Sequence, residues 1–309
     1  MSVSHISSKP WTGRDDPEDG EAAKRMHHFA GDKGRTALIG FACEAGVARN
    51  KGRLGAKQGP AALRHALAGL AAPRDATNFA DLGDIDVAGD ALEAGQEMLG
   101  AHVGAACVNH DRVIVLGGGH ETAFGSFLGL RQAYPDKKIG IINLDAHLDL
   151  REPGNAGPSS GTPFNQIHWL EPRGFDYLCL GVAAEANTVA LIDRAQNWGV
   201  SMVMDRELLD DPLSAEPHIA AIAQRNDLLY LTIDIDLMPH YQAPGVSAPA
   251  PRGVPFAIVE QLVQSVITAS KQEACALPLA DLVELSPPHD KDNMTAKTAA
   301  LLVRQLMVF

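Results

Sequence analysis

The sequence has few cysteines, and these lie far apart along the chain. It contains no Cys-x-x-Cys pair, which argues against a zinc knuckle or a redox dithiol and favours buried free thiols in a reducing compartment. The four cysteines are Cys43, Cys107, Cys179 and Cys275. The sequence also lacks an apolar run long enough to span a membrane, and its N-terminus lacks the apolar core of a signal peptide. We therefore expect a cytoplasmic protein without a membrane partner.

Positive charge is scarce relative to negative charge. The chain has 26 Lys and Arg against 38 Asp and Glu, which gives a formal net charge of -12. Because no run of basic residues offsets this charge, nucleic acid is not an expected partner. Part of the negative charge is expected to consist of metal ligands.

Apolar residues are abundant, since 46% of the 309 residues are hydrophobic, and they suffice for a large core. Strand-like and helix-like stretches alternate, which predicts an α/β fold with a parallel sheet covered on both faces. The polar residues 1–35 are predicted to form an N-terminal arm, and residues 36–309 a single domain. The predicted strands are 36–41, 79–85, 112–116, 141–144, 177–182, 201–204, 228–236 and 276–284. The predicted helices are 60–70, 91–109, 121–132, 187–198, 216–224, 255–270 and 292–306.

One stretch combines a buried strand with three metal-competent side chains. The apolar residues 141–144 are followed by Asp145, His147 and Asp149 at every second position. If the chain stays extended there, all three side chains lie on one side of the backbone. Two carboxylates and an imidazole suit a hard or borderline divalent ion, although a solvated loop after a strand would have a similar composition.

Two further strands favour the metal interpretation. Strand 228–236 ends in Asp234 and Asp236, and strand 112–116 runs through three glycines into His120. Uncompensated charges at the end of a buried strand cost several kcal/mol each, so such groups are usually paired, protonated or metal-bound. Because the carboxyl ends of parallel strands meet at one edge of a sheet, the three strands can direct their ligands to one point.

Four motifs together resemble those of the arginase and agmatinase (ureohydrolase) family over roughly residues 36–309. They are Gly117-Gly118-Gly119-His120-Glu121, Asp145-Ala146-His147-Leu148-Asp149, Thr232-Ile233-Asp234-Ile235-Asp236 and Glu284-Leu285-Ser286-Pro287-Pro288. The resemblance implies an arginase-like, three-layer α/β/α catalytic domain that holds two Mn²⁺ ions. One ion would be bound by His120, Asp145, Asp149 and Asp234. The other would be bound by Asp145, His147, Asp234 and Asp236.

Within this family, further features resemble the formimidoylglutamases. They are Trp11-Thr12-Gly13-Arg14-Asp15-Asp16, Asn50-Lys51-Gly52-Arg53-Leu54-Gly55-Ala56, Gly119-His120, Asp149-Leu150-Arg151 and Ser159-Ser160-Gly161-Thr162-Pro163-Phe164. Many arginases and agmatinases have Asp at the position of Gly119 and a histidine at that of Ser160. The resemblance implies hydrolysis of N-formimidoyl-L-glutamate to L-glutamate and formamide, a step of histidine degradation. A pair of divalent ions lowers the pKa of a shared water towards neutrality and so supplies the nucleophile.

The same resemblance implies roles for residues around the metals. Asp236 or Glu284 would accept and relay the proton. The substrate carries two carboxylates, and the predicted contacts to it are Arg151, Arg53 and Ser160, with Arg14 a weaker candidate. The expected partners are therefore a small-molecule amidine and further copies of the chain in a homo-oligomer.

Three alternatives remain open at this level. The first is another amidine or guanidine hydrolase, such as an agmatinase or a guanidinobutyrase. The second is a non-catalytic metal-binding scaffold, which would be expected to have lost some of the ligands that are present here. The third, a zinc deacylase of the related deacetylase fold, is disfavoured because both ligand strands carry full alternating sets. For Glu284 and the arginines, the alternative is an ordinary charged residue at the surface.

Overall fold

Short segments rich in Val, Ile and Leu form one ten-stranded sheet in the computed structural model, which describes residues 2–309. The strands are β1 (Ser2–Ile6), β2 (Ala30–Gly31), β3 (Thr36–Ala42), β4 (Phe79–Ala88), β5 (Arg112–Leu116), β6 (Ile139–Leu144), β7 (Asp176–Val182), β8 (Ser201–Met204), β9 (Leu228–Asp234) and β10 (Ala276–Val283). Their order is β1-β4-β3-β5-β10-β9-β6-β7-β8, and β2 pairs with β4. Only the β1–β4 pair of this sheet is antiparallel, so the prediction of a mostly parallel sheet is confirmed.

Helices cover both faces of the sheet. They are α1 (Ala45–Arg49), α2 (Gly59–Ala68), α3 (Leu92–Asn109), α4 (Thr122–Ala133), α5 (Pro163–Leu170), α6 (Val189–Asn197), α7 (Asp205–Asp210), α8 (Glu216–Arg225), α9 (Phe256–Gln272) and α10 (Met294–Met307). On β5, Val113 and Val115 pack in the core that contains α3, α4, α5 and α6. Ile114 and Leu116 point the other way, into the core with α2, α8, α9 and α10. This alternation explains the continuous apolar strands and confirms the three-layer α/β/α fold.

The N-terminal segment contributes to the sheet and to the core. Strand β1 extends the sheet next to β4, and Met26 is only 2% exposed. Trp11 Nε1 donates a hydrogen bond to Asp81 Oδ2 over 2.7 Å. The segment is thus attached along much of its length, and its separation at residue 36 from the following domain stays a prediction. Within residues 2–309, no helix has the length and apolar character that a membrane span requires.

Four adjacent strands in the middle of the sheet position the metal-competent residues. They are β5, β10, β9 and β6, and all run parallel. Their carboxyl ends therefore meet at one edge. Asp234 is the last residue of β9, and His120, Asp145 and Glu284 lie just beyond the ends of the other three strands.

A buried ion pair joins β4 to helix α2 beneath the N-terminal segment. Arg64 donates through Nε and Nη2 to the two carboxylate oxygens of Asp81, each over 2.9 Å, and through Nη1 to Asp84 over 2.6 Å. The Asp81 side chain is 2% exposed. Removing this carboxylate would leave a buried guanidinium that only Asp84 compensates, and Trp11 would lose its acceptor.

We expect Asp81→Ala to lower the free energy of unfolding by about 3 kcal/mol, the low end of the cost of breaking a buried pair. The matched control is Asp111→Ala, because the Arg35–Asp111 pair is exposed on both sides. Such exposed pairs contribute about 0–1 kcal/mol. Urea unfolding of both variants measures the difference, and equal destabilisation would contradict the proposed importance of the buried pair.

Candidate metal centre

The first group of ligand atoms surrounds His120, in the loop between β5 and α4. Its Nδ1 lies 3.2 Å from Asp145 Oδ2, 3.0 Å from Asp149 Oδ2 and 3.1 Å from Asp234 Oδ2. His120 is 1% exposed, and the Asp145 and Asp234 carboxylates are also buried. One imidazole nitrogen thus faces three carboxylate oxygens, which is the set predicted for the first metal ion.

The second group surrounds His147. Its Nδ1 lies 3.3 Å from Asp145 Oδ1 and 3.4 Å from Asp236 Oδ2. Asp145 therefore presents one oxygen to each histidine, which is the geometry of a bridging carboxylate. Asp234 Oδ2 belongs to the first group, and its predicted contact with the second ion stays a prediction.

Tight turns present the ligands, so the condition of an extended chain after the strands is not met. Strand β6 ends at Leu144, and β9 ends at Asp234 and is followed by a 3₁₀ turn at Ile235–Leu237. Asp145 Oδ1 accepts a hydrogen bond from His147 N over 2.7 Å, and Asp234 Oδ1 accepts one from Asp236 N over 2.8 Å. An Asp side chain that bonds the backbone two residues later competes with continuation of the strand.

The orientation of the His120 ring is set by Thr232. His120 Nε2 lies 3.1 Å from Thr232 Oγ1, so the Nε2 proton can be donated there. Nδ1 then keeps its lone pair, and this buried atom has no hydrogen-bond partner within residues 2–309. A hydrogen bond on the far nitrogen is the usual support of a metal-binding histidine.

The charges of the site require compensation. Burial lowers the pKa of His120, but the carboxylates of Asp145, Asp149 and Asp234 outweigh it and raise the pKa well above its usual value. Burial, together with the negative charge of Asp236 and Asp145, raises the pKa of Asp234 well above its ordinary range. These directions describe carboxylates too close to one another to be ionised together without a cation.

Two further carboxylates, Asp236 and Glu284, show the same balance. Burial raises the pKa of Asp236 to about 6, although His147 opposes the shift. Burial, followed by repulsion from Asp234 and Glu121, raises the pKa of Glu284 well above its ordinary value. The site offers carboxylate oxygens and imidazole nitrogens but no thiolate, and it contains too little positive charge to balance its carboxylates. Such a donor set fits hard or borderline divalent ions. The residues present therefore fit a binuclear centre.

A cavity opens onto these ligands, and it contains most of the predicted substrate contacts. Besides metal-competent residues, its walls include Asn50, Arg151, Ser160, Asn187, Ser247 and Glu284. Arg53 is absent from these walls, because its guanidinium donates to Val246 O over 2.5 Å and to Ser247 O over 3.0 Å. Arg14 lies in the N-terminal segment, where its Nε is 2.5 Å from Asp16 Oδ1. Arg151 and Ser160 are thus at the cavity, whereas Arg53 supports the backbone of its wall.

Two asparagines that the sequence analysis missed hold the site together. Asn187 accepts a hydrogen bond from Leu148 N over 3.0 Å and donates to Ala146 O over 2.9 Å, so it braces the turn between the ligands after β6. Asn50 Nδ2 donates to Ser160 Oγ over 3.1 Å. These contacts span 39 and 110 residues of chain, and only the context Asn50-Lys51-Gly52-Arg53 offered a sequence signal for either.

Glu121, next to His120, explains a glycine in the same motif. Glu121 is fully buried, and its Oε1 accepts a hydrogen bond from Gly46 N over 3.0 Å. A Cβ atom on Gly119 would lie 2.1 Å from Glu121 Oε2, and one on Gly46 would lie 2.5 Å from the same carboxyl group. Glu121 therefore fills the space that an aspartate at position 119 would need.

The fold and the ligand set define a hydrolase of the arginase type. The chain matches the Arginase family over residues 35–309 and belongs to it. A formimidoylglutamase from Klebsiella pneumoniae (strain 342) is 44% identical, covering 96% of this chain and 95% of the relative. One from Chromobacterium violaceum is 45% identical, covering 97% and 98%.

Solved structures share the fold. The formimidoylglutamase from Bacillus subtilis superposes with a TM-score of 0.84 at 20% identity, covering 97% of this chain and 94% of that one. The Trypanosoma cruzi formiminoglutamase, solved with Mn²⁺, gives a TM-score of 0.80 at 23% identity and covers 93% and 98%. The arginase-like fold predicted from the motifs is therefore confirmed.

The bridging geometry of Asp145 generates a prediction about metal content. We expect the parent to bind about two divalent ions per chain, and Asp145→Ala to retain less than about one, because each ion loses a ligand. Asp236→Ala should be less severe, since Asp236 contacts the second group alone, and Asp210→Ala on the exposed side of α7 should have no effect. Metal analysis after desalting measures the content. Full metal content in Asp145→Ala would refute the bridging role.

Proposed function

We propose that this chain is a formimidoylglutamase, which hydrolyses N-formimidoyl-L-glutamate to L-glutamate and formamide with two Mn²⁺ ions. The observation that carries the proposal is the convergence of all six predicted ligands at one place, where His147, Asp149, Asp234 and Asp236 line a cavity that also contains Arg151. The similarity to formimidoylglutamases over nearly the full chain supports the same substrate. The proposal places the enzyme in histidine degradation in the cytoplasm, as a homo-oligomer.

The metal ligands divide into two sets in this proposal. His120, Asp145, Asp149 and Asp234 would hold one ion. Asp145, His147, Asp234 and Asp236 would hold the other. When bound, a pair of such ions lowers the pKa of a water molecule and so supplies a nucleophile at neutral pH. Manganese agrees with the oxygen-rich donor set and with the Mn²⁺ that accompanies the Trypanosoma cruzi structure.

Two carboxylates are available to handle the proton. Asp236 Oδ1 and Glu284 Oε2 are both buried and lack hydrogen-bond partners within residues 2–309. Glu284 is held in place because its Oε1 accepts a hydrogen bond from His120 N over 2.9 Å. In the hydrolysis the bond between the amidine carbon and the α-nitrogen breaks, and that nitrogen gains a proton. We assign proton transfer to Asp236 or Glu284, and Glu284 also suits the binding of an amidinium.

Arg151 provides positive charge for the substrate carboxylates. Its backbone N donates to Gly161 O over 2.9 Å, which fixes the residue beside Ser160. Arg151 is exposed and lines the cavity, and its guanidinium forms no hydrogen bond or ion pair with residues 2–309, so its donors are free. A planar guanidinium matches a carboxylate in a two-point contact, and the Ser160 hydroxyl can add a further donor. A substrate with a cationic tail, such as agmatine, would instead be repelled.

A substrate panel tests the proposed function directly. We expect kcat/KM for formimidoylglutamate to exceed that for agmatine, guanidinobutyrate and arginine by about a hundredfold or more, because unpaired polar groups penalise the wrong ligand strongly. Release of formamide with stoichiometric glutamate identifies the reaction. Preference for agmatine or guanidinobutyrate would support the guanidine hydrolase instead, and absence of turnover with full metal content would support a non-catalytic scaffold.

Arg151→Ala tests the assignment of the carboxylate contact. We expect kcat/KM for formimidoylglutamate to fall by a factor equivalent to about 2–5 kcal/mol, because a substrate carboxylate loses its charge partner. Metal content should be unchanged, and Arg151→Lys should restore activity only in part. Arg74→Ala removes an exposed arginine elsewhere and serves as the control. Unchanged activity of Arg151→Ala would transfer the carboxylate-binding role to another residue.

A further inference from the structure

A second group of metal-competent side chains lies in the N-terminal segment. His27 and His28 occupy a 3₁₀ turn at Met26–Phe29, and both face Asp15. The distances from Asp15 Oδ1 are 3.2 Å to His27 Nε2 and 2.9 Å to His28 Nε2. We propose that Asp15, His27 and His28 bind a borderline divalent ion of the Zn²⁺ class, which links the chain around Asp15 to the 3₁₀ turn at Met26–Phe29.

The far nitrogens of the two rings support this orientation. His27 Nδ1 lies 3.2 Å from Ala68 O, and His28 Nδ1 lies 3.2 Å from Arg25 O. A carbonyl oxygen only accepts, so the Ala68 contact favours the His27 proton on Nδ1 and leaves the Nε2 lone pair facing Asp15. His28 Nδ1 also accepts a hydrogen bond from Arg25 N over 3.1 Å, so metal binding at its Nε2 would select the tautomer that donates to Arg25 O instead. A backbone carbonyl behind the ring is a common support of a zinc-binding histidine.

Three potential ligand atoms converge in this cluster. The two ring centroids lie 4.0 Å apart, and both Nε2 atoms lie within 3.2 Å of the same Asp15 oxygen. Arg14 and Arg25 do not occupy this position, because both bind Asp16. A divalent ion satisfies all three donors at once, and water can complete a tetrahedral shell.

The chain around these donors is shaped to bring them together. The His27 side chain is 9% exposed and packs beneath Gly13, where a Cβ atom would lie 2.4 Å from His27 Nδ1. Because position 13 is a glycine, the backbone can pass close to the His27 ring, and Asp15 then reaches the Nε2 side of that ring. Trp11 anchors the start of this passage through its hydrogen bond to Asp81. The site shares no residue with the metal centre at the strand ends, and it does not depend on the proposed function.

Metal counting in the Mn²⁺-loaded protein tests the site. After addition of Zn²⁺ and desalting, we expect about three metal ions per chain in the parent, from two at the centre and one at Asp15. His28→Ala and Asp15→Asn should each lose one ion. His65→Ala, an exposed histidine on helix α2, should keep all three. Zn²⁺ should also raise the midpoint of thermal unfolding in the parent and in His65→Ala, but not in the two site variants.

Asp15→Asn keeps the size and shape of an exposed side chain. A loss of metal in this variant can therefore not be attributed to misfolding. A parent that binds only two ions would show that Asp15 forms an ion pair with the histidines and would overturn the proposal. Retention of the third ion in either site variant, or its loss in His65→Ala, would overturn it as well. Only loss in both site variants with retention in the control supports the site.

Discussion

Mutual repulsion among buried carboxylates is the constraint on which the structure of the metal centre depends. Asp145, Asp234, Asp236 and Glu284 are all nearly inaccessible, and they lie at the ends of three adjacent strands. A protein interior cannot hold four such charges unless cations or protons neutralise them. The raised pKa values of Asp234 and Glu284 and the unpaired Nδ1 of His120 are two aspects of the same deficit of positive charge. Divalent ions remove that deficit without a counterion from the chain.

The parallel sheet brings the ligands near one another, but the turns after the strands determine their orientation. Asp145 and Asp234 each use one oxygen to bond a backbone N–H two residues ahead, and each points its other oxygen at His120. The hydrogen bond from the aspartate side chain to the backbone therefore ends the strand and also orients the second carboxylate oxygen towards the metal site. Asn187 adds a crosslink from a different part of the chain, which keeps the turn after β6 in this shape.

Much of this arrangement was predictable because its signals are local. Buried parallel strands have continuous apolar sequences, and the eight predicted strands are all present, six of them with a shifted end. All six metal-competent residues were found because they follow such runs directly. Local signals are absent where distant contacts decide the outcome: Asn187 braces a turn 39 residues earlier, and Arg53 donates to carbonyls more than 190 residues away. Strand β1 was also missed, since its polar residues carry no apolar pattern.

Arg151 differs from the other arginines near the cavity, because its guanidinium is free whereas theirs contact the protein. Arg49 is bound by Asp90 and Glu93, Arg194 by Glu152, and Arg53 by backbone carbonyls. Each of these side chains is held in place by its contacts with the protein. Arg151 alone is held by its backbone and not by its side chain. In the proposed function, metal ions neutralise the acids at the strand ends. Arg151 is then the arginine of the cavity wall whose guanidinium can pair with a substrate carboxylate.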